Sequence, residues 1–221
     1  MINTIIWDLD GTILNTLDDL SDSVNYALQS SGLPKRNKTE IRRYLGNGIR
    51  NLVQQSAPKN ITEELFEQTF QTFRSYYFEH CLIKTKPYEG ITELMAQLKT
   101  DGYKMAIVSN KAQKAVTDLN NKFFSEHITI AIGEQEGIQR KPAPDMVNNA
   151  LELLGSSPAH TVYIGDSEVD LQTARNAQMP CISVLWGFRD KDFLIQHGAT
   201  AFAEKPQDIK TLLSLSVPTN A

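Results

Sequence analysis

Residues 4–7 form a short apolar run, Thr-Ile-Ile-Trp, that ends in Asp8 and turns at Gly11. Such a run reads as a buried strand, and a lone strand cannot stay solvated with both edges unpaired, so its partners must come from elsewhere in the chain. The next stretch offers none. Leu17, Leu20, Val24, Ala27 and Leu28 recur at helical spacing until Gly32-Leu-Pro34 stops the pattern. Ile41, Tyr44 and Leu45 predict a second helix, ended by Gly46-Asn-Gly48, and Ile49, Leu52 and Val53 a third. Leu65, Phe66, Phe70, Phe73 and Tyr77 line a fourth, with Asn60 and Glu63 at capping-box spacing.

From Pro87-Tyr-Glu-Gly90 onward the rhythm changes to alternating strands and helices. Strands are expected at 104–109, 128–132, 161–164, 182–185 and 200–202, and helices at 91–98, 112–123, 144–154, 168–177 and 193–197. Alternation of this kind predicts a parallel sheet covered by helices on both faces. The orphan first strand joins that sheet. The expected fold is therefore α/β: a Rossmann-like, doubly wound parallel sheet core from residues 1–14 and 83–221, with an α-helical cap domain, 15–82, inserted into it. Residues 217–221 are expected to fray.

Charge and composition limit the partners. The net charge is −4 with no basic tract, so there is no general attraction to nucleic acid or to an anionic membrane, and any phosphate must be held by a local site. The first residues lack the basic start and apolar core of a signal peptide, and no apolar run approaches the roughly 20 residues of a membrane-spanning helix. Cys81 and Cys181 lie far apart without Cys-x-x-Cys spacing, and His80, His127, His160 and His197 are scattered without ligand spacing. The expectation is a cytoplasmic monomer or homodimer with reduced thiols and no nucleic acid or membrane partner.

The residues that carry chemistry stand at the carboxyl ends of the expected strands, where open α/β sheets bind ligands. The first strand ends in Asp8-Leu-Asp10-Gly-Thr12; the strand at 104–109 ends in Ser109-Asn110; Lys141 lies in Gln139-Arg-Lys-Pro-Ala-Pro144; and the strand at 161–164 ends in Gly165-Asp166, with Asp170 four residues on. Four carboxylates converging there cannot all stay ionised unaided, and a divalent cation resolves the conflict. All-oxygen ligation without histidine or cysteine favours Mg2+. Together with Lys141, such a cation neutralises a phosphate dianion while a carboxylate attacks phosphorus. Asp8, at the strand end, suits the nucleophile; Asp10, in the turn, suits the acid that protonates the leaving alkoxide and the base that later activates water. Ser109, Asn110 and Thr12 join Lys141 as expected phosphate contacts. Each piece alone has a plainer explanation, such as an acidic N-cap or a loop lysine; their order at successive strand ends points to one site. For Gly46, Asn47 and Gly48 two readings stay open: an ordinary helix connection, or N–H groups that cradle a substrate carboxylate with Arg50 or Arg43 in support and Arg42 beside them.

Asp8-Leu-Asp-Gly-Thr12, Ser109, Lys141 and Gly165-Asp-Ser-Glu-Val-Asp170, in this order, resemble the four motifs of the haloacid dehalogenase superfamily, including the helical cap that follows the first motif. The resemblance implies a phosphatase with Asp8 as nucleophile, Asp10 as acid/base, and magnesium held by the side chains of Asp8 and Asp166 and the backbone carbonyl of Asp10, with Asp170 supporting the metal site. Leu45-Gly-Asn-Gly48, Pro87-Tyr-Glu-Gly90, Val108-Ser-Asn-Lys111 and Cys181-Ile-Ser-Val-Leu-Trp-Gly-Phe-Arg189 are similar to phosphoglycolate phosphatases, which implies 2-phosphoglycolate as substrate. The alternatives are a sugar-phosphate phosphatase or phosphomutase, a pyrophosphatase of the same superfamily, or a non-enzymatic phospho-acceptor domain.

Overall fold

The structure is a computed structural model that describes residues 1–215, so the expectation for 217–221 lies outside the described residues. The chain divides into two compact units, Met1–Leu14 with Pro87–Ala221 and Asn15–Lys86. In chain order the elements begin with β1 (Thr4–Trp7) and β2 (Leu14–Asn15), followed by four helices, α1 (Leu17–Ser30), α2 (Lys38–Tyr44), α3 (Gly48–Ser56) and α4 (Glu63–His80). After β3 (Lys86–Pro87) come α5 (Ile91–Thr100), β4 (Lys104–Ala112), α6 (Gln113–Phe123), β5 (Ile130–Glu134) and α7 (Asp145–Leu154). A 3-10 turn at Pro158–His160 leads into β6 (Thr161–Gly165), α8 (Glu168–Asn176), β7 (Cys181–Val184), α9 (Lys191–Gln196), β8 (Phe202–Ala203) and α10 (Asp208–Ser214).

The larger unit is built on a six-stranded sheet in the order β5-β4-β1-β6-β7-β8, with every neighbouring pair parallel. The expected doubly wound fold is what forms. Every residue of β1 and β6 is buried, as strands covered on both faces must be. On one face Ile6, Val108 and Tyr163 pack with Met146 and Val147 of α7 and Leu171 of α8. The strand order reverses at β1, so the crevice beyond its carboxyl end is the topological switch point where such sheets bind ligands.

Several boundaries differ from the sequence-based expectation, for local reasons. Strand β5 begins at Ile130 rather than 128, because the Ile128 N–H is used to close the end of α6 on the Phe124 carbonyl. Strand β4 runs on to Ala112, with a register shift after Val108, and so carries Ser109, Asn110 and Lys111 within the strand itself. Helix α10, which the apolar pattern did not mark, is anchored by burial of Ile209 and Leu213, four residues apart, and by Asp208, whose carboxylate accepts from the Glu204 and Lys205 N–H groups. The expected cap at Asn60 and Glu63 is not used: α4 starts at Glu63 and Thr62, in extended conformation, caps it by accepting from the Leu65 N–H at 3.3 Å.

The helical unit has its own core of Leu28, Ile41, Phe66 and Phe73. Helix α1 packs on α4, with Tyr26 stacked on Tyr76 at 3.9 Å between ring centroids and the Thr69 hydroxyl donating to Ser31. The unit ends at Lys86 rather than at the expected residue 82. The cause is Asp19 of α1, whose carboxylate is only 3% exposed and accepts from the Lys84 N–H at 3.0 Å and the Thr85 N–H at 2.8 Å, fastening the returning strand to the first helix. Asp19→Ala should therefore leave buried donors without a partner and lower unfolding stability by about 1–3 kcal/mol in urea titration. Asp22→Ala, which removes an exposed partner of the Lys84 ammonium, should leave the midpoint in place. Matching midpoints for the two variants would refute the fastening role of Asp19.

Candidate active site

Three parallel strands deliver the polar residues to one place. Asp8 directly follows β1 and takes a backbone bond to the Ile164 carbonyl of β6, so its carboxylate is set by the sheet rather than by a free loop. Lys141 is 4% exposed and its ammonium donates to three groups: Asp8 Oδ1 at 2.6 Å, Asp170 Oδ1 at 2.8 Å and the Tyr163 hydroxyl at 3.0 Å. Its backbone is fixed as well, because the Asn110 side-chain amide accepts from the Lys141 N–H at 2.9 Å and donates to the Lys141 carbonyl at 3.1 Å. Asn110, expected on phosphate, thus spends both ends of its amide on holding the lysine.

The other oxygen of Asp8 faces Asp166. The Thr12 hydroxyl approaches both, 3.2 Å from Asp8 Oδ2 and 3.3 Å from Asp166 Oδ1. Thr12 was expected on phosphate, yet it is fully buried between two carboxylates, which compete for its one proton. The second oxygen of Asp166 accepts from the Phe188 N–H at 2.6 Å. Asp170, in the first turn of α8, is saturated: Oδ1 takes Lys141, while Oδ2 accepts from the Ser167 hydroxyl at 2.6 Å and from the N–H groups of Asp166 and Ser167. It closes a capping box with Ser167 and braces the turn that carries Asp166. Gly11 and Gly187 let the loops close over this cluster: Gly11 has φ +89 and a side chain at either position would run into the Asp166 carboxylate.

Asp10 turns to a different cation. The Lys111 ammonium donates to both of its carboxylate oxygens, at 2.9 and 3.1 Å. Ser109 is buried beside it and its hydroxyl accepts from the Lys111 N–H at 3.2 Å. Sequence reasoning quoted Lys111 only inside a motif, although residues two apart on a strand share a face and Ser109 was already placed at the site. Tyr163 was missed because a tyrosine inside an apolar strand looks like core. The ion pair of Arg189 with Glu168, 2.7 Å at its shortest, had no local signal; it braces the 186–189 segment that supplies the Phe188 N–H. Trp186 donates its indole N–H to the Thr12 carbonyl at 2.9 Å.

In the helical unit, Gly46 and Gly48 both have positive φ, and Asn47 caps α3 without a side-chain bond. Arg43 is exposed near the end of α2. Arg50 is already engaged: it pairs with Glu67 and Glu63 and lies over the rings of Phe66 and Phe70, 4.9 and 5.0 Å from their centroids. Its guanidinium is neutralised within its own unit, which removes the reason to assign it to a substrate carboxylate.

The electrostatics set what this cluster can hold. Carboxylate oxygens of Asp8, Asp166 and Asp170 come within 4.8 Å of one another, all in buried residues. Burial pushes the Asp8 carboxyl up to about 7 against the opposing pull of Lys141, and burial with the neighbouring Asp170 and Asp8 charges pushes Asp166 well above the ordinary range. Burial works against the Lys141 charge too, but Asp170 and Asp8 outweigh it and hold the ammonium well above its usual value. With Asp170 saturated, Asp8 and Asp166 are the side chains whose oxygens face one another with only a shared hydroxyl between them. An all-oxygen donor set of this kind fits magnesium.

The raised carboxyls also set a pH dependence for the metal-free protein. Between about 4 and about 7 the folded state holds a proton on Asp8 that the unfolded chain has released, so stability falls as pH rises through that window. In excess EDTA the thermal midpoint should climb by several degrees from pH 8 to pH 5.5, and Asp8→Asn should flatten much of the slope. A midpoint that drops over the same interval would show that Asp8 is ionised throughout.

Residues 5–184 match the family model described as haloacid dehalogenase-like hydrolase. Among curated relatives, the phosphoglycolate phosphatase of Aquifex aeolicus is 30% identical over 85% of this chain and 86% of its own length. That of Thiobacillus denitrificans is 31% identical over 85% of each. A crystal structure from Lactobacillus delbrueckii subsp. bulgaricus superposes with a TM-score of 0.90 at 37% identity, covering 96% of this chain and 98% of the other. Family model, curated relatives and solved structure agree with the fold: this chain belongs to the haloacid dehalogenase-like hydrolases.

Proposed function

We propose that this hydrolase is a magnesium-dependent phosphatase that cleaves a small phosphate monoester, 2-phosphoglycolate, through an aspartyl-phosphate on Asp8. The observation that carries the reading is the buried Asp8 carboxylate held by the Lys141 ammonium through one oxygen, with the other oxygen turned toward Asp166. Lys141 fixes the nucleophile, whose carboxylate attacks phosphorus in line with the leaving oxygen. As the P–O bond to the leaving group breaks, Asp10 gives that oxygen its proton and glycolate departs as the alcohol. Asp10, now a carboxylate, takes a proton from water as the water attacks the aspartyl-phosphate, which releases inorganic phosphate and restores Asp8. Ser109, at the end of β4, binds a phosphoryl oxygen. Asp8, Asp166 and the Asp10 carbonyl would hold the magnesium ion, which supplies positive charge against the phosphoryl oxygens.

The relatives named phosphoglycolate phosphatases support the substrate. The phosphate-handling cluster is common to all monoesters, so choice among them falls to other residues. In the helical unit, Gly46, Asn47 and Gly48 remain the candidates, with Arg43 beside them and Arg50 set aside. A cytoplasmic setting is consistent with two buried cysteines in no disulfide, and no helix among the described residues is long and apolar enough to cross a membrane.

Phosphate release from 2-phosphoglycolate tests the nucleophile. Asp8→Asn should reduce turnover below detection with the fold intact, because an amide does not attack phosphorus at a useful rate. Clear residual turnover in a deamidation-free sample would remove Asp8 from the covalent step. For the metal, dialysis against EDTA should abolish activity and magnesium should restore it. Activity that persists through exhaustive chelation would eliminate the ion from the reaction.

A further inference from the structure

The mechanism above leaves one buried cation without a task. The Lys111 side chain is 3% exposed and that of Asp10 is 22% exposed, so the lysine is the more deeply buried partner of the pair. An ammonium is withdrawn from water only at considerable cost, which its partner must offset. The phosphate side of the site is already served by Lys141, whose ammonium bridges Asp8 and Asp170. Lys111 follows Ser109 by two residues on β4 and reaches Asp10 instead. The two lysines therefore divide the site. One stands with the nucleophile, and the other with the acid that faces the leaving oxygen.

A leaving group that carries a carboxylate brings a further negative charge into the buried site, and that charge calls for a cation of its own. A general acid must come within hydrogen-bond reach of the bridging oxygen, and Lys111 Nζ lies 2.9 Å from Asp10, so an Asp10 acting on that oxygen would bring the ammonium within about 6 Å of it. The carboxylate oxygens of 2-phosphoglycolate are three bonds from the bridging oxygen, within about 4 Å of it. The lysine stem is flexible and its head is a point charge, so it can meet the carboxylate without movement of the strand.

We infer that Lys111 is the specificity-determining cation for an anionic leaving group, exchanging the Asp10 carboxylate for the substrate carboxylate when the substrate binds. The inference rests on the phosphoglycolate reading and deepens it. Substrate carrying a carboxylate takes the lysine, and Asp10, released from that cation, takes up a proton from water and presents it to the leaving oxygen; a neutral ester leaves Asp10 ionised against Lys111. Selectivity and acid catalysis are thereby set by the same side chain.

The test compares kcat/KM for 2-phosphoglycolate and for ethyl phosphate, which has the same chain length and no carboxylate, in the full-length wild type, Lys111→Met and Lys111→Arg. Wild type should favour 2-phosphoglycolate. Lys111→Met should lose at least about tenfold more on 2-phosphoglycolate than on ethyl phosphate, as expected for a lost charged hydrogen bond, and Lys111→Arg should keep part of the preference. Lys111→Gln carries the same comparison if the methionine variant does not fold. Equal losses on both esters would overturn the inference and reduce Lys111 to a support for Asp10. A wild type with no preference for 2-phosphoglycolate would overturn the substrate reading itself, and the inference with it, before any variant is made.

Discussion

The buried ammonium of Lys141 is the charge on which the site depends. Asp8, Asp166 and Asp170 stand within a few ångströms of one another in a dry crevice, and without Lys141 the first and last would face each other uncompensated. Removing one partner from a buried pair of this kind typically costs about 3–5 kcal/mol, because the remaining charge is stranded. The surrounding structure is arranged to keep that lysine in place. The Asn110 amide clamps its backbone, Tyr163 takes its third proton, and Asp170 anchors itself on the start of α8 with the oxygen that Lys141 does not use. One cation thereby ties together the ends of β1, β4 and β6.

The second constraint is the separation of two acids that are neighbours in sequence. Asp8 and Asp10 are two residues apart, and the turn at Gly11 sends them to different counterions, Asp8 to Lys141 and Asp10 to Lys111. The two carboxylates can then do different chemistry from one short segment, because each has its own electrostatic setting. The segment itself is pinned from the far side of the sheet. Trp186 holds the Thr12 carbonyl, while Phe188 holds Asp166, and the Arg189–Glu168 pair steadies the loop that carries both aromatic residues.

Much of this was legible in the residues. Apolar strands ending in acids, serine or glycine-aspartate announced the sheet and the edge that carries chemistry, because burial on both faces leaves a nearly continuous apolar run. Asp8, Asp166, Asp170 and Lys141 were legible as a group for the same reason: each stands at a strand end or just beyond one. What was not legible depends on partners far away in sequence. Lys111 finds Asp10 across 101 positions, and Lys141 finds Asp8 across 133. Thr12 and Asn110 have side chains suited to phosphate, and only the fold reveals that nearby carboxylates and the Lys141 backbone have claimed them. The partners of Arg50 were equally hidden: its guanidinium meets Glu67 and two phenylalanines on the neighbouring helix. Helix ends were read least well: the hydroxyl of Thr62, not the side chain of Asn60, satisfies the first turn of α4.

The central position of β1 has a consequence for how the chain reaches its native state. Thr4 pairs with Lys104 on one side and with Thr161 on the other, so β1 waits for strands made well after it before both of its edges are paired. Contacts this distant in sequence make sheet closure slow relative to local structure. The four helices of 15–86 belong to a compact unit of their own in which Leu28, Ile41, Phe66 and Phe73 are buried, and such local structure forms faster than the long-range pairing that β1 needs. During that interval Thr4-Ile-Ile-Trp is an apolar strand with two open edges, the kind of segment that chaperones cover and that aggregates when they do not. The same placement that sets Asp8 at the switch point of the finished sheet makes β1 an exposed hazard until both of its partners are in place.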